Sequence, residues 1–346
     1  MMHRTKSGYG ESAISDFCRR LHPVGRLLEM EDWYIWCISP IEDRDGTIHV
    51  FFSRWPAARG MGGWINSSEI AHAVAETPES PFELVDTPLA PNGEGFWDGT
   101  TCHNPHIQKI GDRYALFYTG NANGKTDTKR IGLAVSDSLY GPWTRPDKPL
   151  LEPGSEDAWD DHCTTNASFV HAPGSRHYLY YKSWNSQDYY DSSHPTIRGN
   201  RKYGLAIAEA WDGPYHKYDG NPVIDFSQSS QSGDNAQLED AFVWHEAGQA
   251  GKLGKFRMIA RDMGHFSHDV GLYLESEDGK TWSAPKIAYL PLSHYVDEPP
   301  APPHLKRYGR LERPQVLLRN SRPTYLFAAA QGGRDGTASG FVFKVM

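Results

Sequence analysis

The chain has 346 residues, a formal net charge of -8 at pH 7 and an isoelectric point near 6.0. This charge excludes nucleic acids and anionic membranes as partners, because proteins that bind them need a basic surface. The aromatic content of 12%, together with 33 glycines and 24 prolines, is typical of a β-rich protein with many turns. The length fits either two ordinary domains or one large β domain.

The N-terminal segment contains no apolar run of the kind found in a signal peptide, and no stretch of 18 apolar residues occurs in the chain. We therefore expect a cytoplasmic protein, or a periplasmic or secreted one if a signal peptide has been removed. In this segment SAISDFCRRL predicts a short helix with Ser12 or Ser15 near its N-cap. The cysteines are too few and too scattered for a disulfide framework, and free thiols are expected at Cys18, Cys37, Cys102 and Cys163.

A hairpin pattern recurs along the chain. RIGLAVSDSLYGPWTR, residues 130–145, alternates apolar and polar residues, passes through an acidic turn and resumes at an aromatic residue. Three further copies begin at Ser68, Lys202 and Asp269. The copies start roughly 60 to 70 residues apart, a period that indicates a repeat architecture.

A second pattern repeats in phase with the first and joins a short apolar segment to an aromatic-rich strand through a polar turn. Its five copies open at Ser39, Asn104, Asn166, Asp240 and Arg313. Each unit therefore predicts two hairpins, which form one four-stranded antiparallel sheet. Five such sheets around an axis make a five-bladed β-propeller.

The predicted fold is thus all-β, with a five-bladed β-propeller over residues 29–346 and a short, partly helical N-terminal extension over residues 1–28. The fifth blade reaches the C-terminus at SGFVFKVM without an outer strand. We expect the segment around Trp33 to Trp36 to supply that strand and to close the ring.

The inner strands of a propeller start around the central channel, so the five openings should converge at its mouth. The loops FWDGTTCHNP and AWDDHCTTNA repeat one spacing, Asp98 to Asn104 and Asp160 to Asn166, which should place matching side chains at one rim. The acidic residues expected to share this pocket are Asp98, Asp160 or Asp161, Glu239, Asp240 and Glu312.

Several carboxylates around one pocket suit glycoside cleavage, in which one carboxylic acid protonates the leaving oxygen and one carboxylate activates water. Polar side chains expected at the sugar are His103, Asn104, His162, Asn166, Arg313, Arg54, Lys182 and Asp262. Aromatic side chains available for stacking are Trp55, Trp97, Trp159, Trp184 and Tyr118.

Structural roles compete with these assignments. An Asp before a turn is usually a cap, Glu312 and Arg313 can form a simple ion pair, and a propeller tryptophan is more often blade core than sugar platform. The pair Glu239 and Asp240 is the strongest candidate, because two adjacent acids open an otherwise apolar strand.

Four side chains of the expected channel mouth could in principle form a metal site. His103, Cys102, His162 and Cys163 carry ligand types that suit zinc, but their spacings match no zinc signature. Small buried thiols at a crowded axis are the simpler explanation. No cofactor is expected to be required, and a structural cation near the central channel is the one metal that the prediction allows.

These features resemble the five-bladed propeller glycoside hydrolases of families 43 and 117 over nearly the whole chain from about residue 30. The motifs SPI, CHNP, TTNA, EDAF and ERPQ resemble those of an uncharacterised bacterial group of such hydrolases. The resemblance implies a glycosidase that hydrolyses O-glycosyl bonds in carbohydrate metabolism and polysaccharide degradation. The resemblance to family 117 also implies a homodimer formed through the N-terminal extension.

The chain departs from both families at the catalytic positions. Family 43 enzymes use an Asp base at the first opening, a second Asp that tunes pKa values and a Glu acid, whereas Ser39, Asn104 and Asn166 occupy the first three openings here. Asn166 also replaces an Asp of family 117, while Glu239 or Asp240 matches its blade-four Glu. These departures predict Asp240 or Glu239 as one catalytic partner and Asp98 or Glu312 as the other, with Asn104, Asn166 and Arg313 orienting sugar hydroxyls.

The predicted function is therefore an exo-acting, inverting glycoside hydrolase that releases a terminal sugar from an oligosaccharide. One alternative is a glycoside phosphorylase, in which phosphate attacks and cations hold it, the candidates being Arg54, Lys182, Arg261, Arg313 and His162. The other is a propeller that binds carbohydrate without catalysis, suggested by Asn where relatives have Asp.

Overall fold

The computed structural model describes residues 8–191, 199–227, 237–248 and 254–346, so residues 1–7 of the predicted extension lie outside the described part. Short helices occur at α1 (Asp16–Arg19), α2 (Trp64–Ser67) and α3 (Ser186–Tyr190). The rest of the regular structure is almost entirely antiparallel strand. None of the described helices is long and apolar enough to cross a membrane.

The strands form five blades, each with its first strand innermost, as predicted, but the second blade has three strands rather than the predicted four. Blade one contains β2 (Trp33–Glu42), β3 (Ile48–Pro56), β4 (Glu69–Ala75) and β5 (Glu83–Leu89). Blade two contains β6 (Thr101–Ile110), β7 (Arg113–Asn121) and β8 (Arg130–Ser136). Blade three contains β9 (Thr165–Ala172), β10 (Arg176–Ser183), β11 (Lys202–Ala208) and β12 (His216–Lys217).

The last two blades complete the ring. Blade four contains β13 (Leu238–Glu246), β14 (Lys255–Asp262), β15 (Gly271–Ser276) and β16 (Lys286–Tyr289). Blade five contains β17 (Glu312–Arg319), β18 (Arg322–Gly332), β19 (Thr337–Val345) and, as its outer strand, β1 (Leu21–Leu28).

The closing strand comes from a different segment than predicted. Strand β1 pairs antiparallel with β19, from Leu21 opposite Val345 to Leu28 opposite Gly340. The prediction that Trp33 to Trp36 supply this strand is wrong, because that segment begins the inner strand of blade one. Both ends of β1 are buried leucines, so this strand belongs to the packed propeller even though its residues fall within the range 1–28.

The N-terminal helix is confirmed in outline. Helix α1 is a single turn, and the Ser15 hydroxyl caps it by accepting a hydrogen bond from the Cys18 backbone N–H at 3.1 Å. All four cysteines are buried free thiols, as the sequence predicted.

Five apolar clusters hold the propeller together, and each lies between two successive blades. Within a blade, the repeated glycine of the outer hairpins leaves room for an aromatic ring. A Cβ at Gly132 would collide with the Trp97 ring, and one at Gly204 would collide with the Tyr181 ring. The hairpin repeat therefore records a packing requirement that recurs from blade to blade.

Candidate active site

One residue near the start of each inner strand has a positive φ angle, although none of the five is glycine. We call these residues the axial ring: Cys37 (φ 49), Asn104 (φ 54), Asn166 (φ 55), Asp240 (φ 63) and Arg313 (φ 54). A shift in strand register accompanies this position in every blade. Bulges of this kind re-aim side chains and are frequent beside functional sites.

The axial ring confirms four of the five predicted openings and corrects the first. In blade one the bulge lies at Cys37, two residues before the predicted Ser39. Ser39 does not lie at the cavity mouth. It is buried further along the strand, and its hydroxyl donates a hydrogen bond to the Gln315 side chain at 3.3 Å.

Hydrogen bonds and an ion pair link the axial ring across blades. The Asn104 side-chain N–H₂ donates to Asn166 Oδ1 at 2.8 Å, and the Asn166 N–H₂ donates to Asp240 Oδ1 at 2.8 Å. Arg313 forms an ion pair with the same Asp240 oxygen. Burial raises the pKa of Asp240 against the opposing effect of Arg313. The Asp240 side chain is only 1% exposed, so it supports the cavity floor from below.

A cavity of about 410 Å³ opens above this ring at one end of the propeller axis. The residue that immediately precedes each axial-ring residue lines it in all five blades: Trp36, His103, Thr165, Glu239 and Glu312. Asn104, Asn166 and Arg313 also reach the wall. The predicted convergence of the inner strands on one cavity is therefore confirmed.

Glu239 is the most heavily paired carboxylate of the cavity. Its Oε1 lies 3.0 Å from Lys182 Nζ and 2.6 Å from Arg201 Nε, and its Oε2 lies 3.1 Å from Arg261 Nη1. Lys182, followed by the two arginines, overcomes the effect of burial and holds the pKa of Glu239 well below its ordinary value. Glu239 is therefore an ionised carboxylate over the whole neutral range.

Glu312 contacts the same guanidinium group as Glu239, that of Arg261. Arg261 Nη1 is 3.1 Å from Glu312 Oε2, and Arg307 Nη1 is 3.2 Å from that same oxygen. The other oxygen, Oε1, is buried and has no hydrogen-bond partner in the described part of the chain. Glu312 thus has one oxygen held by two guanidinium groups and one buried oxygen without a partner among the described residues.

Aromatic residues form one side of the cavity. Trp55 lines it as predicted but is fully buried, with its ring stacked on Tyr34 at a centroid distance of 5.4 Å. Trp64 is partly exposed and stacks on His103 at 5.3 Å. Burial lowers the pKa of His103 well below its ordinary value, so this side chain is a neutral imidazole. Trp64 is accordingly the better sugar platform.

Asp98 does not reach the cavity, which corrects its assignment as a catalytic residue. It is fully buried within blade two, where it accepts a hydrogen bond from the Tyr118 hydroxyl at 2.8 Å and pairs with Arg145 at 3.0 Å. Its counterpart Asp160 likewise binds Tyr181 and Lys217. The shared Trp-Asp spacing therefore reflects a repeated structural ion pair.

We expect Asp98→Asn to lower the free energy of unfolding by about 3 kcal/mol while leaving kcat within twofold of wild type, because a buried ion pair is lost outside the cavity. Urea denaturation and steady-state kinetics on the same preparations check both parts. A fall in kcat of a hundredfold or more with an unchanged melting curve would restore Asp98 to the catalytic set.

Five other predicted residues also have structural roles or lie behind the wall. Arg54 pairs with Glu69 at 2.8 Å, Trp97 packs on Tyr118, and Asp262 caps a loop by accepting four backbone N–H bonds. Asp161 accepts backbone hydrogen bonds from Asp157 and Ser186. His162 lies one layer back, 2.9 Å from the Thr126 hydroxyl that lines the cavity, and burial lowers its pKa to about 4.

The sequence analysis missed several cavity residues, including several cations. Among those not assigned to the sugar site are Trp36, Trp64, Lys129, Arg201, Arg307 and Arg310. Trp36 was missed because the first opening was placed two residues late. Lys129 and Arg201 each precede an outer strand of the hairpin repeat, at Arg130 and Lys202, and that shared basic position was the available signal.

The metal cluster considered from the sequence does not form. Within residues 8–191, 199–227, 237–248 and 254–346, no group of three or more His, Cys, Asp or Glu side chains is arranged to hold a metal ion. Cys102 and Cys163 are buried in the blades, and burial raises the pKa of each thiol.

Comparison with known proteins identifies structures with the same fold. No protein-family model matches the sequence, and no curated protein matches it. Among solved structures, Zg3597, a family 117 glycoside hydrolase from Zobellia galactanivorans, superposes with a TM-score of 0.64 at 16% identity, covering 95% of this chain and 91% of that chain. A GH43_1 enzyme from Xanthomonas citri, solved with xylotriose, gives 0.56 at 13% identity over 96% and 92%.

An endo-arabinase from Bacteroides thetaiotaomicron gives a TM-score of 0.58 at 13% identity, covering 93% of this chain and 96% of that chain. The three similarities extend over nearly the full length of each protein. They show that this chain has the five-bladed β-propeller fold of glycoside hydrolases of families 43 and 117.

Proposed function

We propose that the protein is a glycoside hydrolase that removes a terminal sugar within the axial cavity. The observation that carries this proposal is the pair Glu239 and Glu312, which stand side by side on Arg261 in the cavity wall. A cavity of about 410 Å³ is at the small end of ligand pockets, which favours exo action on a terminal sugar over binding of a long chain. The glycosidase activity of proteins with the same fold supports the proposal.

The two carboxylates are suited to different roles. Glu239 is held ionised by three cations, which suits a nucleophile or a carboxylate that stabilises an oxocarbenium-like transition state. Glu312 is the second carboxylate of the cavity wall and is therefore the candidate for the group that protonates the leaving oxygen. Asp240 acts as a positioning residue through Arg313 and Asn166.

The stereochemical outcome predicted from the sequence is inversion of configuration. Glu239 Oε2 and Glu312 Oε2 each lie 3.1 Å from Arg261 Nη1. The separation of the two carboxyl groups across a bound sugar distinguishes retaining enzymes, at roughly 5–5.5 Å, from inverting enzymes, at roughly 6.5–9.5 Å. Proton NMR of the first product anomer during hydrolysis separates the two outcomes.

The test is a panel of aryl glycosides and short oligosaccharides, neutral and acidic, followed by mass spectrometry. Wild type is expected to shorten at least one oligosaccharide by a single terminal sugar. Release of internal fragments would contradict exo action.

Phosphorolysis is the second candidate, and the cationic lining of the cavity favours it. Lys182, Arg261 and Arg313, three of the cations that the sequence assigned to a phosphorylase, do line the cavity. Adding inorganic phosphate to the same assay distinguishes the two reactions, because a phosphorylase yields the sugar 1-phosphate and a hydrolase yields the free sugar.

A further inference from the structure

Lys129 is a buried cation that has no carboxylate partner in the described part of the chain. It is only 4% exposed, yet it lines the cavity. Its Nζ lies 4.4 Å from the centroid of Trp184 and 5.8 Å from that of Trp64. Aromatic faces attract an ammonium group, but they do not replace a counter-ion or satisfy its three hydrogen-bond donors.

Other cations crowd the same place. Lys182 Nζ lies 5.7 Å and the Arg201 guanidinium 5.5 Å from the Trp184 centroid. Glu239 is paired with both of these, which leaves the charge of Lys129 unbalanced. Burial, with Lys182 and Arg201 acting in the same direction, lowers the pKa of Lys129 to about 8.

The whole site shows the same excess of positive charge. Apart from Arg310, which pairs with Asp269, the cations of the wall are Lys129, Lys182, Arg201, Arg261, Arg307 and Arg313. The carboxylates on the wall or directly beneath it are Glu239, Asp240 and Glu312. An oxocarbenium-like transition state is positively charged, so this excess opposes the cleavage of a neutral sugar.

We propose that Lys129, beside Trp64 and Trp184, binds a small oxyanion, carried as a carboxylate or sulfate on the sugar or supplied as inorganic phosphate. The oxyanion accepts hydrogen bonds from the unused N–H groups of Lys129 and balances the positive charge of the cavity. This inference rests on the proposed sugar-cleaving site, and it names the chemical class that the site selects.

The test is equilibrium binding without turnover, so its result is independent of whether any glycoside is cleaved. Calorimetric titrations at constant ionic strength use sulfate, inorganic phosphate, glucuronate and galacturonate, with glucose as the neutral probe. Wild type is expected to bind at least one oxyanion and Lys129→Met to bind it at least tenfold more weakly. Lys129→Arg should retain most of the binding, and Lys125→Met, an exposed lysine of the same loop, should match wild type.

A pH series with sulfate adds a second readout, because sulfate keeps its charge throughout. Wild-type binding is expected to fall as the pH rises through about 8, whereas Lys129→Arg stays charged and should show no such fall. The other titratable or charged groups that face Lys129 are Lys182, Arg201, Glu239, Cys163, His103, His162 and Arg130. Since Lys129→Arg retains all of them, the difference between the two profiles reports Lys129 itself.

Lys129→Met is expected to fold and to melt about 2 °C above wild type, because it removes an unbalanced buried charge. The proposal is overturned if Lys129→Met binds the oxyanions as tightly as wild type, or if no oxyanion binds better than glucose. Where phosphate binds and sugar acids do not, the oxyanion is a co-substrate. The reverse result makes it a substituent of the sugar.

Discussion

Glu239→Gln is expected to lower kcat by a factor of about 10²–10⁴, because the substitution removes the ionised carboxylate of the proposed catalytic pair. Glutamine preserves the shape of the side chain but cannot act as nucleophile or stabilise positive charge at the reacting carbon. The measurement is kcat on the best substrate of the panel, at a pH where wild type is fully active. Wild-type turnover by Glu239→Gln would remove Glu239 from the reaction.

The same substitution should also destabilise the fold, so a control is needed. Glu239 balances Lys182, Arg201 and Arg261, and loss of one partner from a buried ion-pair network costs about 3–5 kcal/mol. Asp98→Asn is the matched control, because it also breaks a buried ion pair but lies outside the cavity. A catalytic role for Glu239 requires that Glu239→Gln loses kcat while Asp98→Asn keeps it, with both variants shown to be folded.

The stability contribution of Glu239 should also depend on pH. Its pKa in the folded chain lies well below the ordinary value near 4.5, so folding favours the ionised form. The stabilisation is therefore fully present above about pH 4.5 and is lost as the pH falls below it. Urea midpoints measured downward from pH 7 should fall more steeply for wild type than for Glu239→Gln.

Asp240→Asn is expected to lower the free energy of unfolding by about 3 kcal/mol, because it leaves Arg313 as an uncompensated buried charge. Asparagine is the informative replacement, since it tolerates the positive φ of this position and can still accept the hydrogen bond from Asn166. We expect a smaller loss of kcat than in Glu239→Gln, because Asp240 is sealed beneath the floor.

A double-mutant cycle isolates this ion pair. Asp240→Asn combined with Arg313→Met should be more stable than the sum of the two single losses implies, because no unpaired charge remains. Strictly additive losses in urea denaturation would show that the pair is not the source of the stability. A loss of rate by Asp240→Asn as large as that of Glu239→Gln would instead place Asp240 in the chemistry.

The architecture could be predicted because each blade repeats the same local requirements. Strand β8 of an outer hairpin has a run of four buried residues and a glycine that packs against an aromatic ring, Gly132 against Trp97. The inner openings carry Asn, Asp or Arg at a position that needs a positive φ, and Asn104, Asn166 and Asp240 suit it well. The predicted opening of blade one lies two residues too late. Cys37 is not a residue type that favours positive φ, and the Ser39-Pro40 sequence is similar to Asn104-Pro105 in the next blade.

The site could be predicted only where its residues adjoin the repeat. Glu239 and Glu312 could be predicted because they directly precede axial-ring residues. The assignment of Asp98 is wrong because an acidic residue in a buried ion pair, here with Arg145, has the same local sequence pattern as an acidic residue in a pocket. The partnering of Arg145 with Asp98, 47 residues apart, depends on tertiary packing that spacing does not encode. The unbalanced charge of Lys129 also depends on tertiary packing, so the sequence pattern does not predict it.

The most direct test of the account is a parallel assay of wild type and Glu239→Gln on the panel of neutral and acidic oligosaccharides, with and without phosphate. We expect wild type to shorten an oligosaccharide by one terminal sugar and folded Glu239→Gln to leave it intact. The account is contradicted if both proteins turn over the substrate equally, or if wild type binds sugars by calorimetry and cleaves none of them during prolonged incubation.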